Sequence, residues 1–221
     1  MNAPMIQLLV LAGIAVFLII KLKSVLGTRE GFEKPPEQAP NDESAQEKRQ
    51  AFEVIEGGPD RDITDHVKEG SVTAKALTSM KEAEPSFSVS EFLQGARGAY
   101  EMILMGFERG DLESIKPFLS DEVYGTFEEV VKAREKQGLT IESDFIGVGE
   151  MTLSKAKFLK SKSRGEVTVK FVGELTSIVR DSAGEIIEGK VNEVKRQKDV
   201  WTFARNMGSN DPNWKLVATG E

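Results

Sequence analysis

Cysteine is missing from all 221 residues. Disulfides, zinc–thiolate sites, iron–sulfur clusters and cysteine nucleophiles are therefore excluded, and nothing supports an oxidising compartment. Histidine is nearly missing too. His66 is the single one, so neither a His-based triad nor a His-rich metal site can be assembled. No glycine-rich phosphate loop occurs, and Gly147-Val-Gly149 is too short for a dinucleotide fingerprint. Positive charge is in deficit, with 29 Lys and Arg against 36 Asp and Glu and a net charge of -7. A nucleic-acid partner, which needs clustered basic side chains, is disfavoured.

Polar residues are absent from one stretch. Leu8 to Ile20 reads LLVLAGIAVFLII, and extending it from Met5 to Leu22 adds only Gln7 and Lys21 as polar side chains. As a helix at ~1.5 Å per residue, Met5–Leu22 reaches about 27 Å, close to the ~30 Å hydrocarbon core of a bilayer. Lys21 and Lys23 are placed to snorkel to the interface. A transmembrane anchor over 1–27 is the expectation. The competing readings are a cleaved signal peptide, which wants its basic residues before the apolar run, and a buried core helix, which is rarely apolar all round. Lys21, Lys23 and Arg29 all follow the run, so the positive-inside rule puts the bulk of the chain in the cytoplasm.

Residues 28–84 hold eight basic and fourteen acidic side chains. Within them, 28–70 is also rich in Pro and Gly and reads as a disordered acidic linker. Phe52, Val54 and Ile55 form a small apolar island in it. At 71–84 the pattern becomes helical: Ala74, Leu77 and Met80 recur every three residues behind a Ser71 or Thr73 cap. This short helix is expected to dock on the domain that follows, 85–221.

That domain opens with Ser88-Val-Ser-Glu91, a capping box. Phe92, Ala96, Tyr100, Ile103 and Phe107 then fall on one helical stripe that ends at Gly110. Asp111 caps a short helix with Leu112, Ile115 and Leu119. Ser120 caps a third, with Val123, Phe127, Val130 and Val131 inward and Gly138 closing it. Beyond Gly138 the period becomes two. Ile146 and Val148, then Leu153–Leu159, predict the first strands. A long strand follows from Val167 towards Val179, a turn at Asp181-Ser-Ala-Gly184, a strand over Val191–Phe203 and a last one over Trp214–Thr219. Helices first and strands after predict an α+β fold, an antiparallel meander curled around the long helix.

Several of these residues resemble a known family. Phe92-Leu93, Gly95-Ala96-Arg97, Ala99-Tyr100-Glu101, Phe107 and Gly110-Asp111 look like the start of the Tim44-like domain, named for a mitochondrial inner-membrane import-motor adaptor. The likeness continues through Pro117-Phe-Leu-Ser120, Phe127 and Val167-Thr-Val-Lys-Phe171. It closes with Asp199-Val-Trp-Thr-Phe-Ala-Arg205 and Asp211-Pro-Asn-Trp-Lys-Leu216. The apolar front segment is similar to that of alphaproteobacterial members. The resemblance implies a nuclear-transport-factor-two-like cone, membrane association and an adaptor or scaffold role without an established reaction. The lack of an Arg-rich transit peptide favours a bacterial inner membrane, and the basic flank then sets the N-terminus periplasmic and the domain cytoplasmic. The acidic linker does not match the basic, chaperone-binding part of the mitochondrial adaptor, so chaperone recruitment is not carried over.

An apolar pocket in such a cone would be lined by Phe92, Ala96, Tyr100, Ile103, Phe107, Phe127, Phe171 and Trp201. A lipid chain or a hydrophobic protein segment is its natural occupant. Asp199, Trp201, Phe203 and Arg205 share one strand face, with Trp214 beside them; a ladder pairing Asp199 with Arg205 across stacked aromatics is one structural reading, a partner surface another. No catalytic set, cofactor or metal is assigned. Related cones host isomerases that use a carboxylate and a tyrosine. Tyr100 and Tyr124 are the only tyrosines, and Asp144 and Asp199 are the strand acids to inspect. An acid facing a tyrosine inside a cavity would point to that chemistry.

Overall fold

The computed structural model describes residues 58–220. Met5–Leu22 with Lys21 and Lys23, the linker up to residue 57 and its apolar island lie outside the described residues. Among the described residues no helix is long and apolar enough to cross a membrane.

The helices come first. They are α1 (Arg61–Thr64), α2 (Val72–Ala83), α3 (Val89–Arg109), α4 (Leu112–Ile115) and α5 (Asp121–Lys136), with a 3-10 turn over Lys116–Phe118 and another over Lys160–Lys162 between the first two strands. One antiparallel sheet follows: β1 (Thr140–Leu159), β2 (Arg164–Arg180), β3 (Ile186–Glu188), β4 (Val194–Asn206) and β5 (Lys215–Thr219). The strand order is β1-β2-β4-β5, and β3 pairs with the far end of β2. The fold is α+β.

Local chemistry accounts for the element ends. Ser88 takes the Glu91 N–H at 3.2 Å as the N-cap of α3. At the other end Gly110 adopts φ 73°, a left-handed cap that glycine enters without a Cβ clash. Ser71, Asp111 and Ser120 cap α2, α4 and α5 with their side chains. Asp181 Oδ1 accepts the N–H groups of Ala183 and Glu185, which turns the chain out of β2.

β1 is bulged in three places. Its register with β2 breaks between Phe145 and Gly147, Val148 and Glu150, and Leu153 and Lys155, and each inserted residue bends the strand and adds twist. The sequence predicts separate first strands here, and the bulges instead join them into one strand of 20 residues. The inner face presents Val167, Val169, Phe171, Trp201 and Phe203 to the buried stripe of α3. Val130, expected inside, is 41% exposed on the outer flank of α5, and Ile146, the residue inserted at the first bulge, is 54% exposed. The short strand β3 was not anticipated, having only three residues.

Ordered packing reaches back into the expected linker. Asp62 accepts the backbone N–H groups of Val89 at 2.7 Å and Ser90 at 2.9 Å, so it caps α3 from 27 and 28 residues away. Lys81 Nζ sits 2.8 Å from Asp62 and 2.7 Å from Asp60. Ile63 is 3% exposed and belongs to the same core as Ala74, Leu77 and Met80 of α2.

Candidate functional site

A cleft of about 390 Å³ opens between the N-terminal half of α3 and the connection from β4 to β5. Its origin lies in side-chain size. Along α3, Phe92 is followed on the cleft side by Gly95, Ala96 and Ala99, and nothing stands within 4 Å of where a Gly95 Cβ would be. Phe203 of β4 lies across from Phe92, with ring centres 6.1 Å apart edge to face. Phe87, Phe118 and Trp214 complete the apolar lining. Trp214 packs 4.6 Å from Phe92 and 5.8 Å from Phe87, ring centre to ring centre.

The rim is polar and tied down. Glu84, the residue that ends α2, accepts from Arg205 Nη2 through one carboxylate oxygen and from the Gly208 N–H at 2.8 Å through the other. Burial raises the Glu84 carboxyl, but the Gly208 N–H and the Arg205 charge outweigh it, and its pKa falls below the usual carboxylate range. Arg205 also donates to the Pro212 carbonyl at 3.2 Å and lies 5.3 Å from the Trp214 ring centre. Asp211 Oδ1 accepts from both the backbone and the side-chain amide of Asn213, at 3.0 and 2.8 Å, so the Asp-Pro-Asn turn presents Trp214.

The eight residues grouped as a pocket in the sequence fall in three places. Phe92 and Ala96 line the cleft. Tyr100, Ile103, Phe171 and Trp201 are packed into the core, where Tyr100 stacks on Phe171 with centres 4.4 Å apart and meets Trp201 at 4.8 Å. Phe107 and Phe127 pair at 4.4 Å near the far end of α3, under Arg134. Phe203, Arg205 and Trp214 belong to the cleft, whereas Asp199 does not.

The expected pairing of Asp199 with Arg205 is not made. Asp199 takes the Tyr100 hydroxyl at 2.6 Å and the Gln197 amide at 3.0 and 3.2 Å, while Arg205 goes to Glu84. The two ends of the strand face are six positions apart, too far for side chains to meet. An acid does face a tyrosine, but outside the cleft. Tyr100 is 0% exposed, and burial together with the Asp199 carboxylate raises its pKa far above the ordinary phenol value. Its hydroxyl is bound at a packed position, and Gly173 opposite leaves only the room it needs: a Cβ there would lie 2.5 Å from the hydroxyl. Asp144 is exposed at another part of the surface, and Tyr124 bonds Glu113 at 2.8 Å. Among the described residues no group of three His, Cys, Asp or Glu is placed to hold a metal ion.

Phe87 and Glu84 had no place in the sequence reading, and Gly95, Ala99 and Phe118 entered it only through the family resemblance, not as pocket residues. One signal was available: Phe87 and Phe92 occupy the two staple positions around the Ser88 cap, and Trp214 packs on both.

The Tim44-like domain pattern matches residues 73–221. The human mitochondrial import inner membrane translocase subunit TIM44 is 24% identical over 148 residues, 65% of this chain and 32% of the human protein. The Arabidopsis thaliana subunit TIM44-1 is 22% identical over 143 residues, covering 65% of this chain and 30% of that one. The chain thus spans about a third of the length of these relatives. The intermembrane space region of chloroplast protein ARC6 is 12% identical, with a TM-score of 0.36 over 66% of this chain and 94% of that structure, too slight a likeness to bear on function.

Proposed function

This chain belongs to the Tim44-like domain family, and from that premise we propose that it is a membrane-anchored adaptor of protein translocation or membrane-protein assembly. The observation that carries the reading is the cleft, with aromatic walls, a floor kept open by small residues and a rim latched by Glu84 and Arg205. Such a site suits an apolar segment of a protein partner: one or two large side chains fill the space beside Trp214, and the polar rim holds the backbone of the segment. In this reading the curled sheet around α3 is the cone of the nuclear-transport-factor-two-like type.

The finer parts of the proposal rest on the sequence. Residues 1–27 anchor the chain in a bacterial inner membrane, with the N-terminus periplasmic and the domain cytoplasmic. A coil tether over residues 28–57, about 30 residues, has an r.m.s. span of about 27–33 Å, so the domain works close to the bilayer surface.

A second reading uses the same cleft. A lipid chain or another small hydrophobic ligand fits its apolar lining, and its volume lies within the usual range for such sites. Among the described residues the acids lining the cleft are Glu84, held by Arg205, and Glu91, with no tyrosine or histidine in the lining, and the Tyr100–Asp199 pair lies elsewhere.

A photoreactive amino acid in place of Gly95, where the space is open, tests both readings in native membranes. Crosslinks to translocase or assembly subunits that vanish with Trp214→Ala support the adaptor. Crosslinks to lipid alone replace it with the second reading, and crosslinks insensitive to Trp214→Ala rule the cleft out.

A further inference from the structure

The outer face of the sheet, turned away from α3, carries a charge pattern opposite to that of the whole chain. On β2, Val167, Val169 and Phe171 point inward, so the residues between them point outward. The register extends that alternation across the sheet. Thr168 lies beside Lys155 and Thr202, Glu166 beside Lys157 and Ala204, and Lys170 beside Thr152 and Val200. Val172 lies beside Glu150 and Lys198, and Ala204 beside Lys215. Lys155, Lys157, Lys170, Lys198 and Lys215 therefore share one face, and all five are exposed.

Acids on this face do not neutralise them. Glu166 is 3.0 Å from Arg164, and Arg196 reaches Glu174 at 3.2 Å and Glu150 at 3.6 Å. Among the described residues none of the five lysines has a carboxylate within 4.0 Å. A chain of net charge -7 thus gathers uncompensated positive charge on one side of its sheet. A groove of about 330 Å³ runs over this face, bordered by Lys155, Lys157 and Arg164, with the bonded Thr168 and Thr202 hydroxyls also lining it. Glu122 and Glu166 are the acids in the groove lining.

We propose that this face docks an extended acidic segment of a protein partner. It is a second surface, on the side of the sheet away from the cleft, and does not depend on what the cleft holds. Alternate side chains on a strand repeat every ~6.6–6.8 Å. Lys155 and Lys157 therefore meet acidic residues at alternate positions of an extended segment. Charge complementarity of this kind sets partner choice and speeds association. Two features separate this partner from an anionic bilayer. Membrane-surface elements bury apolar and aromatic side chains at the interface, whereas the apolar residues on this face are Val172, Val200, Val217, Ala218 and the buried Ala204, with no aromatic. The register break between Leu153 and Lys155 also bends the face within the lysine cluster, and a bilayer is flat.

The experiment uses the full chain in phosphatidylcholine nanodiscs. The probes are a synthetic peptide of alternating Glu and Ser, its Gln–Ser counterpart, and phosphatidylglycerol vesicles. The expected result is binding of the Glu peptide but not the Gln peptide. That binding weakens by about tenfold or more in the variant K155S/K157S/K170S and on raising salt from ~50 to ~500 mM. Unchanged circular dichroism shows that the variant is folded. Absence of Glu-peptide binding, or equal binding by the triple variant, overturns the proposal. Lysine-dependent binding to the vesicles without peptide binding overturns it in favour of a lipid surface.

Discussion

Replacing Asp62 by Ala tests whether the segment ahead of α2 is part of the folded unit. The Asp62 carboxylate accepts Val89 N–H at 2.7 Å, Ser90 N–H at 2.9 Å and Ser88 Oγ–H at 3.1 Å, and Lys81 Nζ lies 2.8 Å away. Alanine leaves two N–H groups at the start of α3 without a protein acceptor, although Ser88 still holds Glu91 N–H. Lys81 keeps Asp60 at 2.7 Å. Loss of a helix cap costs about 0.5–2 kcal/mol, and hydrogen bonds to a charged group about 1.5–3 kcal/mol each. The Asp62 side chain is 22% exposed, which weakens the ion pair and leaves part of the site open to water. The net expectation is a loss of about 2–3 kcal/mol. Urea denaturation of residues 58–221 should show it as a lower midpoint with unchanged slope. Asp62→Asn, which keeps an oxygen acceptor, should lose about half as much. Burial raises the Asp62 pKa, but Lys81 and the Ser90 and Val89 N–H groups outweigh it, and the net shift is strongly downward. A group depressed in the folded state adds stability above its unfolded pKa of about 3.9. The gap between wild type and Asp62→Ala should therefore be constant above about pH 5 and close as the pH falls below 4. A loss under about 0.5 kcal/mol at pH 7, or a gap that widens on acidification, would refute the assignment.

Gly173→Ala should cost about 1–3 kcal/mol by overpacking, since its Cβ meets the Tyr100 hydroxyl at 2.5 Å; in the Tyr100→Phe background the loss should shrink, which a double-mutant cycle by thermal denaturation measures. Tyr100→Phe alone should cost about 1–2 kcal/mol by urea denaturation, because Asp199 loses a charged hydrogen bond but keeps Gln197. Trp214→Ala should reduce stability by about 2–4 kcal/mol, less than for a fully buried Trp because the ring is partly exposed, and should remove any fluorescence change on adding apolar ligands. Because the Glu84 pKa is lowered, its latch to Arg205 should hold at neutral pH and open as the pH falls below the usual carboxylate range, read as faster proteolysis of the β4–β5 connection that Arg205→Ala shows at every pH.

Much of the helical half was legible in the sequence because its rules act within one or two turns. The Ser88 cap, the Gly110 stop and the stripe of α3 need only residues three or four apart; cap and stop stand where the pattern put them, and the stripe is buried from Phe92 to Ile103, with Phe107 half-buried. The Asp181 turn and the long alternation of β2 follow from equally local geometry. Bulges were not legible. A single inserted residue such as Ile146 does not break the apolar pattern of β1, yet it flips its own side chain outward and bends the sheet. The aromatic list was right in composition and uncommitted in space: Phe92 reaches the cleft, while Phe171 and Phe107 end in the core and at the far end of α3.

Amino-acid order by itself determined that helices precede an antiparallel sheet, where α3 begins and ends, and that apolar and acidic stretches precede the domain. Tertiary structure alone decided the contacts that make surfaces. Asp62 caps a helix 27 residues on, Tyr100 finds Asp199 across 99 residues, and Glu84 finds Arg205 across 121. The lysine face exists only because strand register lines up β1, β2, β4 and β5. Backbone propensity and side-chain period are short-range energies written into neighbouring residues. Register and cleft shape come from closing long loops around one core, and their energy belongs to pairs that the chain order keeps apart.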